Sequence, residues 1–227
     1  MARRSLAALA VCYACVVGGP ARTEVITRLP TTDKVVALTF DACEGRGKPA
    51  YLDQKLVGVL EHEKVPFTIF ATGLFAQRNE QALRRLAALP QVEIENHSFS
   101  HPQHMERLDD PEVAAQLADA DRIIAGITGK SPKFFRFPAG NYDRRVLADV
   151  EATGHRVVHW RFPSGDPAPG LTAQRLTQWV LYKVRPGDVL IFHINGRAPE
   201  TADAMPGILA ALRAQGYDFV RLDQGLP

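Results

Sequence analysis

Short apolar runs rich in Val, Ile and Phe alternate along this chain with stretches of helical periodicity, a pattern typical of βα units. Seven runs are predicted strands: 35–40, 67–71, 92–95, 134–137, 156–160, 189–193 and 219–222. Strands that alternate with helices over so long a chain favour a parallel barrel or a doubly wound sheet. The fold class predicted from the pattern is therefore α/β.

The intervening stretches carry apolar residues on one helical face. Three such faces are Leu52, Leu56 and Leu60; Val113, Leu117, Ile124 and Ile127; and Met205, Leu209 and Leu212. The segment 109–112 has the composition of a helix start, and Gly126, Gly154 and Gly216 are predicted helix ends. Trp179 follows helical spacing with Leu176 and Val180, which predicts a core position.

Length and composition favour one exported domain. The 227 residues are 46% hydrophobic, which is enough for one sizeable core. The net charge of +2 comes from interspersed charges, which argues against nucleic-acid binding.

Residues 1–21 have the order of residue types that is typical of a signal peptide. We therefore predict a domain over 22–227 that is secreted or periplasmic, with no transmembrane anchor. Lipidation at Cys12 or Cys15 is the alternative, and signal removal would leave Cys43 as the single cysteine.

Polar residues fall at the carboxyl ends of five predicted strands. They are Asp41, His97, Arg136, Asp166 and His193. In a parallel barrel these ends form one face, so residues far apart in sequence would converge on a single cleft.

The residue types in this cleft suit metal-assisted hydrolysis. His97 and His101 are spaced to hold a divalent ion, although a bare H-x3-H pair is more often two unrelated polar residues. Asp41 and His193 would face each other as base and acid, whereas an isolated strand-end Asp is commonly a structural acceptor or helix cap.

Five motifs occur in order along the chain: 39–41, 97–101, 136–140, more loosely 160–166, and 190–193. Together they resemble the polysaccharide deacetylase family, also called the NodB homology domain or carbohydrate esterase family 4. The resemblance runs from about residue 35 to the C-terminus. It implies a distorted parallel (β/α) barrel of about seven strands and a hydrolase that removes acetyl groups from an N-acetylated polysaccharide such as peptidoglycan, a chitin-like polymer or an exopolysaccharide.

The resemblance also implies site roles. Asp41 matches the catalytic base, His193 the general acid, and His97 and His101 the ligands of one divalent metal ion, usually Zn²⁺. Arg136 matches the residue that orients the base.

Two further roles carry over from the family pattern. Asp166 is the candidate acid that holds Arg136, and the backbone N–H of Ala139 would stabilise the oxyanion. A polysaccharide is the expected partner, and no protein partner is predicted.

The chain departs from the family at Ala42, where a second Asp usually provides the third metal ligand. The candidates to replace this third ligand are Asp41 itself, Glu44, Glu95, water and Cys43. The preferred prediction for Cys43, however, is a buried packing residue. A Cys-His hydrolase is a minor alternative. The departure leaves open a carbohydrate-binding member without catalysis, and removal of an O-linked acetate, as on xylan, is a more distant alternative.

Overall fold

The computed structural model describes residues 24–44 and 49–226, so the predicted signal peptide lies outside the described residues. Within them, seven strands form one sheet: β1 Val35–Ala42, β2 Phe67–Ala71, β3 Val92–Asn96, β4 Phe134–Phe135, β5 Arg156–Val157, β6 Val189–His193 and β7 Asp218–Val220. The order is β5-β4-β3-β2-β1-β6, with β7 also beside β1, and every strand pair is parallel. The curled parallel sheet confirms the predicted distorted (β/α) barrel.

Helices connect the strands. They are α1 Gln54–His62, α2 Gly73–Arg78, α3 Glu80–Ala87, α4 Asp110–Thr128, α5 Arg144–Ala152, α6 Ala173–Lys183, α7 Pro199–Ala214 and α8 Leu222–Gly225, with 3₁₀ turns at Met105–Arg107 and Pro138–Gly140. The predicted start of α4 is confirmed, since Asp109 and Glu112 form a capping box. Gly129, at φ 74°, ends this helix, whereas Gly126 lies inside it and not at its end.

The alternation of side chains along β1 divides its residues between two layers. Leu38, Phe40 and Ala42 belong to the main apolar core, which lies between the sheet and the helices. Thr39 and Asp41 face the other side and bind Arg136. The second face of β1 is thus the interior of the curled sheet, where the polar groups collect.

An extended segment before β1 bridges the two ends of the sheet. Ile26 pairs with Val158, just beyond β5, and Arg28 pairs with Asp188, just before β6. The backbone N–H of Val189 donates to the carbonyl of Thr27 at 3.2 Å. The segment therefore supplies the hydrogen bonds that direct contact between β5 and β6 would supply in a closed barrel.

Two local predictions were wrong. Strands β4 and β5 are shorter than predicted, and after β4 the chain enters the turn Pro138–Gly140. Trp179 is 39% exposed, although Leu176 and Val180 of the same helix are buried. Its indole N–H donates to the carbonyl of Pro163 at 2.9 Å, which holds the ring at the edge of the core.

Among the described residues, no helix is both long and apolar enough to cross a membrane.

Candidate active site

Asp41 and His193 lie on neighbouring strands at the carboxyl end of the sheet. Their Cα atoms are register partners in the parallel pair β1 and β6. Neighbouring strands lie about 4.8 Å apart, so the two side chains belong to one site. The parallel fold therefore brings together an acid and an imidazole that are separated by about 150 residues.

Arg136 lies fully buried beneath Asp41 and holds the carboxylate. Its Nη1 donates to Asp41 Oδ1 at 2.7 Å and its Nη2 donates to Thr39 Oγ1 at 2.8 Å. The carbonyls of Val158 and His159 accept further bonds, and the guanidinium lies 4.0 Å from the centre of the Phe70 ring. These contacts fix one arginine rotamer, so the direction of the Asp41 carboxylate is fixed as well.

The charge state of Asp41 follows from this pair. Burial alone would raise the pKa of Asp41, but the Arg136 guanidinium and the imidazoles of His97 and His193 outweigh burial and lower the pKa to about 2. The carboxylate is therefore anionic at neutral pH. It can accept a proton from water during a reaction.

Asp166 contacts His193 and not Arg136. The carboxylate lies 2.9 Å from His193 Nδ1, accepts the backbone N–H of His193 at 2.7 Å, and also accepts the hydroxyls of Ser164 and Thr201. The prediction that Asp166 holds Arg136 is therefore wrong. The physical reason is the loop after β5, which brings Asp166 against β6 and leaves Arg136 to pair with Asp41 alone among the described acids.

Asp166 sets the protonation of His193. Burial alone would lower the pKa of His193, but the hydrogen bond and charge of Asp166 raise it above its ordinary value. The Nδ1 proton is held by the carboxylate, so Nε2 carries the proton that the ring can lose. The pair has the arrangement of an oriented general acid.

His97 presents a bare nitrogen to the site. Its Nδ1 lies 2.8 Å from the carbonyl oxygen of Arg136, which can only accept, so Nδ1 carries the proton and Nε2 carries a lone pair. That Nε2 is buried and has no hydrogen-bond partner among the described residues. Asp41 Oδ2 lies 3.5 Å away, but two acceptors make no hydrogen bond with each other.

Burial lowers the pKa of His97, so the ring is neutral at pH 7. Burial and the neighbouring His97 lower the pKa of His101 to about 3. Neutral imidazoles are the form that binds metal ions. Both rings are therefore ready to act as ligands without losing a proton.

A strained loop presents His101. Ser98 and His101 have φ angles of 70° and 59°, in the left-handed region that non-glycine residues seldom adopt. The amide oxygen of Gln116 accepts the backbone N–H groups of Phe99 and Ser100 at 3.1 and 2.9 Å. Asn96 accepts the N–H of Ser98 at 2.7 Å. The loop is therefore held in its strained conformation by two amide side chains.

Cys43 completes a cluster with the two histidines. Its sulfur and one nitrogen from each of His97 and His101 all lie within 4.8 Å of one another. The side chain is buried, as predicted, and burial, opposed by the charge of Arg197, raises the pKa of the thiol to about 11. Sulfur and imidazole nitrogen are the donor types that zinc prefers, so the residues present fit a divalent metal ion.

The backbone of Ala139 lies in the tight turn Pro138–Gly140. The turn uses the N–H groups of Gly140 and Asn141, which donate to Phe137 and Pro138, and the N–H of Ala139 makes no backbone hydrogen bond among the described residues. Ala139 itself has φ 54°, and a side chain at Gly140 would meet the Trp160 ring at 2.9 Å. The turn therefore leaves the N–H of Ala139 without a backbone acceptor among the described residues.

Comparison with known proteins gives the family. The sequence profile of the polysaccharide deacetylase family matches residues 28–169, more than half of the chain. The chain belongs to the polysaccharide deacetylase family. A chitooligosaccharide deacetylase from Bradyrhizobium sp. (strain ANU 289) is 28% identical over 204 residues, covering 83% of this chain and 89% of that protein.

Solved structures agree with the fold. A peptidoglycan N-acetylglucosamine deacetylase has a TM-score of 0.80 at 27% identity, with coverage of 88% of this chain and 91% of its own. A carbohydrate esterase family 4 pseudoenzyme from Bacillus anthracis has a TM-score of 0.79 at 22% identity, covering 91% and 70%. The second likeness shows the fold alone.

Three contributors to the site of this deacetylase-family chain were missed from the sequence. Gln116 holds the His101 loop from α4, and Asn195 and Arg197 donate to Cys43 from the segment after β6. The short spacing from His193 was the available signal, whereas nothing in the sequence links Gln116 to residue 101.

Proposed function

We propose that this protein is a metal-dependent hydrolase that removes acetyl groups from an N-acetylated polysaccharide. The observation that carries the proposal is the register of Asp41 with His193, each held by its own buried partner, Arg136 and Asp166. A carbohydrate-binding protein needs neither a base kept anionic nor an imidazole whose pKa is raised by a buried carboxylate. Both are what amide hydrolysis requires.

The proposed metal ion is Zn²⁺, held by His97 and His101. The buried Nε2 of His97, which has no partner among the described residues, supports this assignment, since an unpaired buried nitrogen is costly unless a ligand occupies it. When bound, a divalent ion acts as a Lewis acid that polarises the acetyl carbonyl and activates water.

Asp41 is the proposed base. Its carboxylate accepts a proton from water as the water oxygen bonds to the acetyl carbon, and Arg136 keeps the carboxylate anionic until then. The N–H of Ala139 is proposed to donate to the oxygen that becomes negative when the carbonyl is attacked.

His193 is the proposed acid. As imidazolium it gives its Nε2 proton to the sugar nitrogen while the bond between that nitrogen and the acetyl carbon breaks. Asp166 stabilises the charged ring before the transfer and fixes its orientation. The products are acetate and a free amine on the polysaccharide.

Peptidoglycan or a chitin-like polymer is the proposed substrate class. Support comes from the relatives described above, which are named for chitooligosaccharide and peptidoglycan deacetylation. Both polymers lie outside the cytoplasm, in agreement with the proposed signal peptide at residues 1–21. N-terminal sequencing of the exported protein should show that the mature chain begins near residue 22.

Acetate release tests the proposal. The full chain is incubated with N-acetylglucosamine oligomers and with peptidoglycan, with and without a chelator and then with Zn²⁺ restored. We expect release that the chelator abolishes and Zn²⁺ recovers. Asp41→Asn should lower kcat by about 10²- to 10⁴-fold, the usual size of a general-base contribution. Asp33→Asn, at an exposed acid, is the matched control.

A second function is favoured by Ala42, which lies in the apolar core and offers no ligand. A member that binds polysaccharide without catalysis would retain glycan affinity and release no acetate from any glycan, with metal or without. That result would replace the enzyme proposal. Acetate release only from acetylated xylan would instead change the bond class from N-acetyl to O-acetyl.

A further inference from the structure

The alternation of β1 continues beyond its last residue and favours Cys43 over Ala42 as a site residue. Asp41 faces the barrel interior, and the side chain two positions later returns to the same side in extended chain. Ala42 instead packs with Leu38 and Phe40 in the core. Cys43 is fully buried, and its sulfur lies within 4.8 Å of a nitrogen from both His97 and His101.

A second observation at the same place points to a ligand. His97 is fully buried, and its Nε2 lone pair has no partner among the described residues. The ring cannot rotate to give Nε2 another partner, because Nδ1 is hydrogen-bonded to the Arg136 carbonyl at 2.8 Å. A buried acceptor fixed in this way next to a sulfur and a second imidazole is a built site for a cation.

The other candidates for a third ligand are occupied. Glu44 pairs with Arg78. Glu95 accepts the backbone N–H groups of Lys133 and Phe134, each at 2.7 Å. Asp41 gives one carboxylate oxygen to Arg136, and its other oxygen is the one that accepts a proton in the role of base proposed above.

We propose that Cys43 is the third protein ligand of the metal ion, in place of the carboxylate that the family uses at the preceding position. The centre is then Cys-His₂ and not Asp-His₂. This inference rests on the proposed metal dependence and deepens it. As the sulfur binds the ion, the thiol proton leaves to solvent, so no electron is transferred and the site keeps the single negative charge that a carboxylate would bring.

The surroundings of the sulfur suit a thiolate ligand. Arg197 Nη1 donates to Cys43 Sγ at 3.3 Å, and Asn195 Nδ2 lies 3.5 Å from Sγ and donates to the Cys43 carbonyl at 2.5 Å. Donors of this kind orient a ligand and stabilise its charge. In tetrahedral zinc, ligand atoms lie about 3.5 Å apart, so the cluster closes onto an ion with shifts of about one ångström.

A softer ligand changes the metal preference. Thiolate favours Zn²⁺ over the harder Mg²⁺ and Mn²⁺, which prefer oxygen ligands. A Cys-His₂ centre should therefore have a narrower metal selectivity than a carboxylate centre would have.

The test is the spectrum of the Co²⁺-loaded full chain. Bound thiolate produces an intense sulfur-to-cobalt charge-transfer band in the near ultraviolet, and the Zn²⁺ form should show one sulfur at about 2.3 Å by X-ray absorption. The double variant Cys12→Ser and Cys15→Ser leaves Cys43 as the one cysteine and should keep both signals. Cys43→Ser should lose both and bind Zn²⁺ more weakly, by at least about tenfold.

The outcomes separate this inference from the proposed function. Acetate release that needs metal, with no sulfur signal, overturns the Cys43 assignment and leaves the deacetylase proposal standing. Loss of the signal in the double variant also overturns it. A sulfur signal without acetate release supports the ligand and contradicts the enzyme. Because Cys43 is the one cysteine of the double variant, X-ray absorption on that variant reads the ligand directly, and the inference stays testable even when Cys43→Ser fails to fold.

Discussion

The two halves of the candidate site are built differently. In the acid-base half, Asp41 and His193 are each bound to a buried partner of opposite charge, at 2.7 and 2.9 Å. In the metal half, Cys43, His97 and His101 include a buried nitrogen with no partner among the described residues. One half is therefore complete within the protein, whereas the other half needs a ligand to complete it. In the metal-free protein, mutation and pH should strongly affect the acid-base half. Changes in the metal half should act mainly on the affinity for the metal ion.

The largest effect is expected from breaking the buried charge pair. Arg136→Met leaves the Asp41 carboxylate buried without its cation, which should cost about 3–5 kcal/mol of unfolding free energy. His101→Asn in the metal half removes no hydrogen bond between the ring and another described residue, and asparagine tolerates the positive φ of 59°. Its cost in the metal-free protein should stay within about 1 kcal/mol.

Urea denaturation of both variants at neutral pH, with a chelator present, makes the comparison. Arg84→Met, at an exposed pair with Glu80, is the control for loss of an arginine and should change stability by less than about 0.5 kcal/mol. Equal costs for Arg136→Met and His101→Asn would contradict the contrast between the two halves.

A smaller effect, visible in the pH dependence, is expected at Asp166. A general acid must be protonated, so activity falls as pH rises through the pKa of His193, which Asp166 raises. In Asp166→Asn the charge of the carboxylate is lost and only the charge of Asp41 still opposes burial, so the pKa of His193 falls and the alkaline limb of kcat/KM moves to lower pH. At pH 8 the activity should drop by about 10- to 100-fold, the scale of partners that orient a functional group.

The contribution of His193 to the free energy of unfolding changes with pH in the same direction as the activity. A histidine with a raised pKa contributes stability that is complete below its unfolded pKa and is lost as pH rises through its folded pKa. Ser164→Ala is the control, because it removes a hydroxyl that donates to the same carboxylate but keeps the contact between Asp166 and His193. The alkaline limb of kcat/KM should not move in this variant. An unchanged limb in Asp166→Asn would show that His193 is not the group that titrates.

The acid-base half was also the more predictable half from sequence. Asp41, Arg136 and His193 end apolar runs that the hydrophobic pattern locates, and a parallel sheet brings such ends together. The pairing of Asp166 was missed because it depends on the path of a loop, 160–171, that no periodicity describes. Trp179 was misplaced for a related reason: helical spacing gives a face but not how far the core extends beneath it.

The metal half was predictable only in its histidines. Ala42 suggested a missing ligand, and the possible role of Cys43 depended on the direction of β1 at its last residue, which the sequence does not state. The loop between β3 and α4 depends partly on a glutamine that is fifteen positions beyond His101 in the chain. Contacts over such distances follow from packing and not from local propensity.

The smallest effect is expected from that glutamine. Gln116→Ala removes the acceptor of the Phe99 and Ser100 N–H groups, so the strained loop is less firmly held and His101 is less often in place to bind. Because the metal ion itself can still draw the loop together, Zn²⁺ affinity should fall by about tenfold, the lower end for a supporting contact. Competition with a chromophoric chelator measures it, and Arg122→Ala, an exposed change on the same helix, should leave affinity unchanged. If Gln116→Ala lowered kcat at saturating Zn²⁺ as strongly as Asp166→Asn does, the two halves would not be separable, and the division between a complete half and an incomplete half would fail.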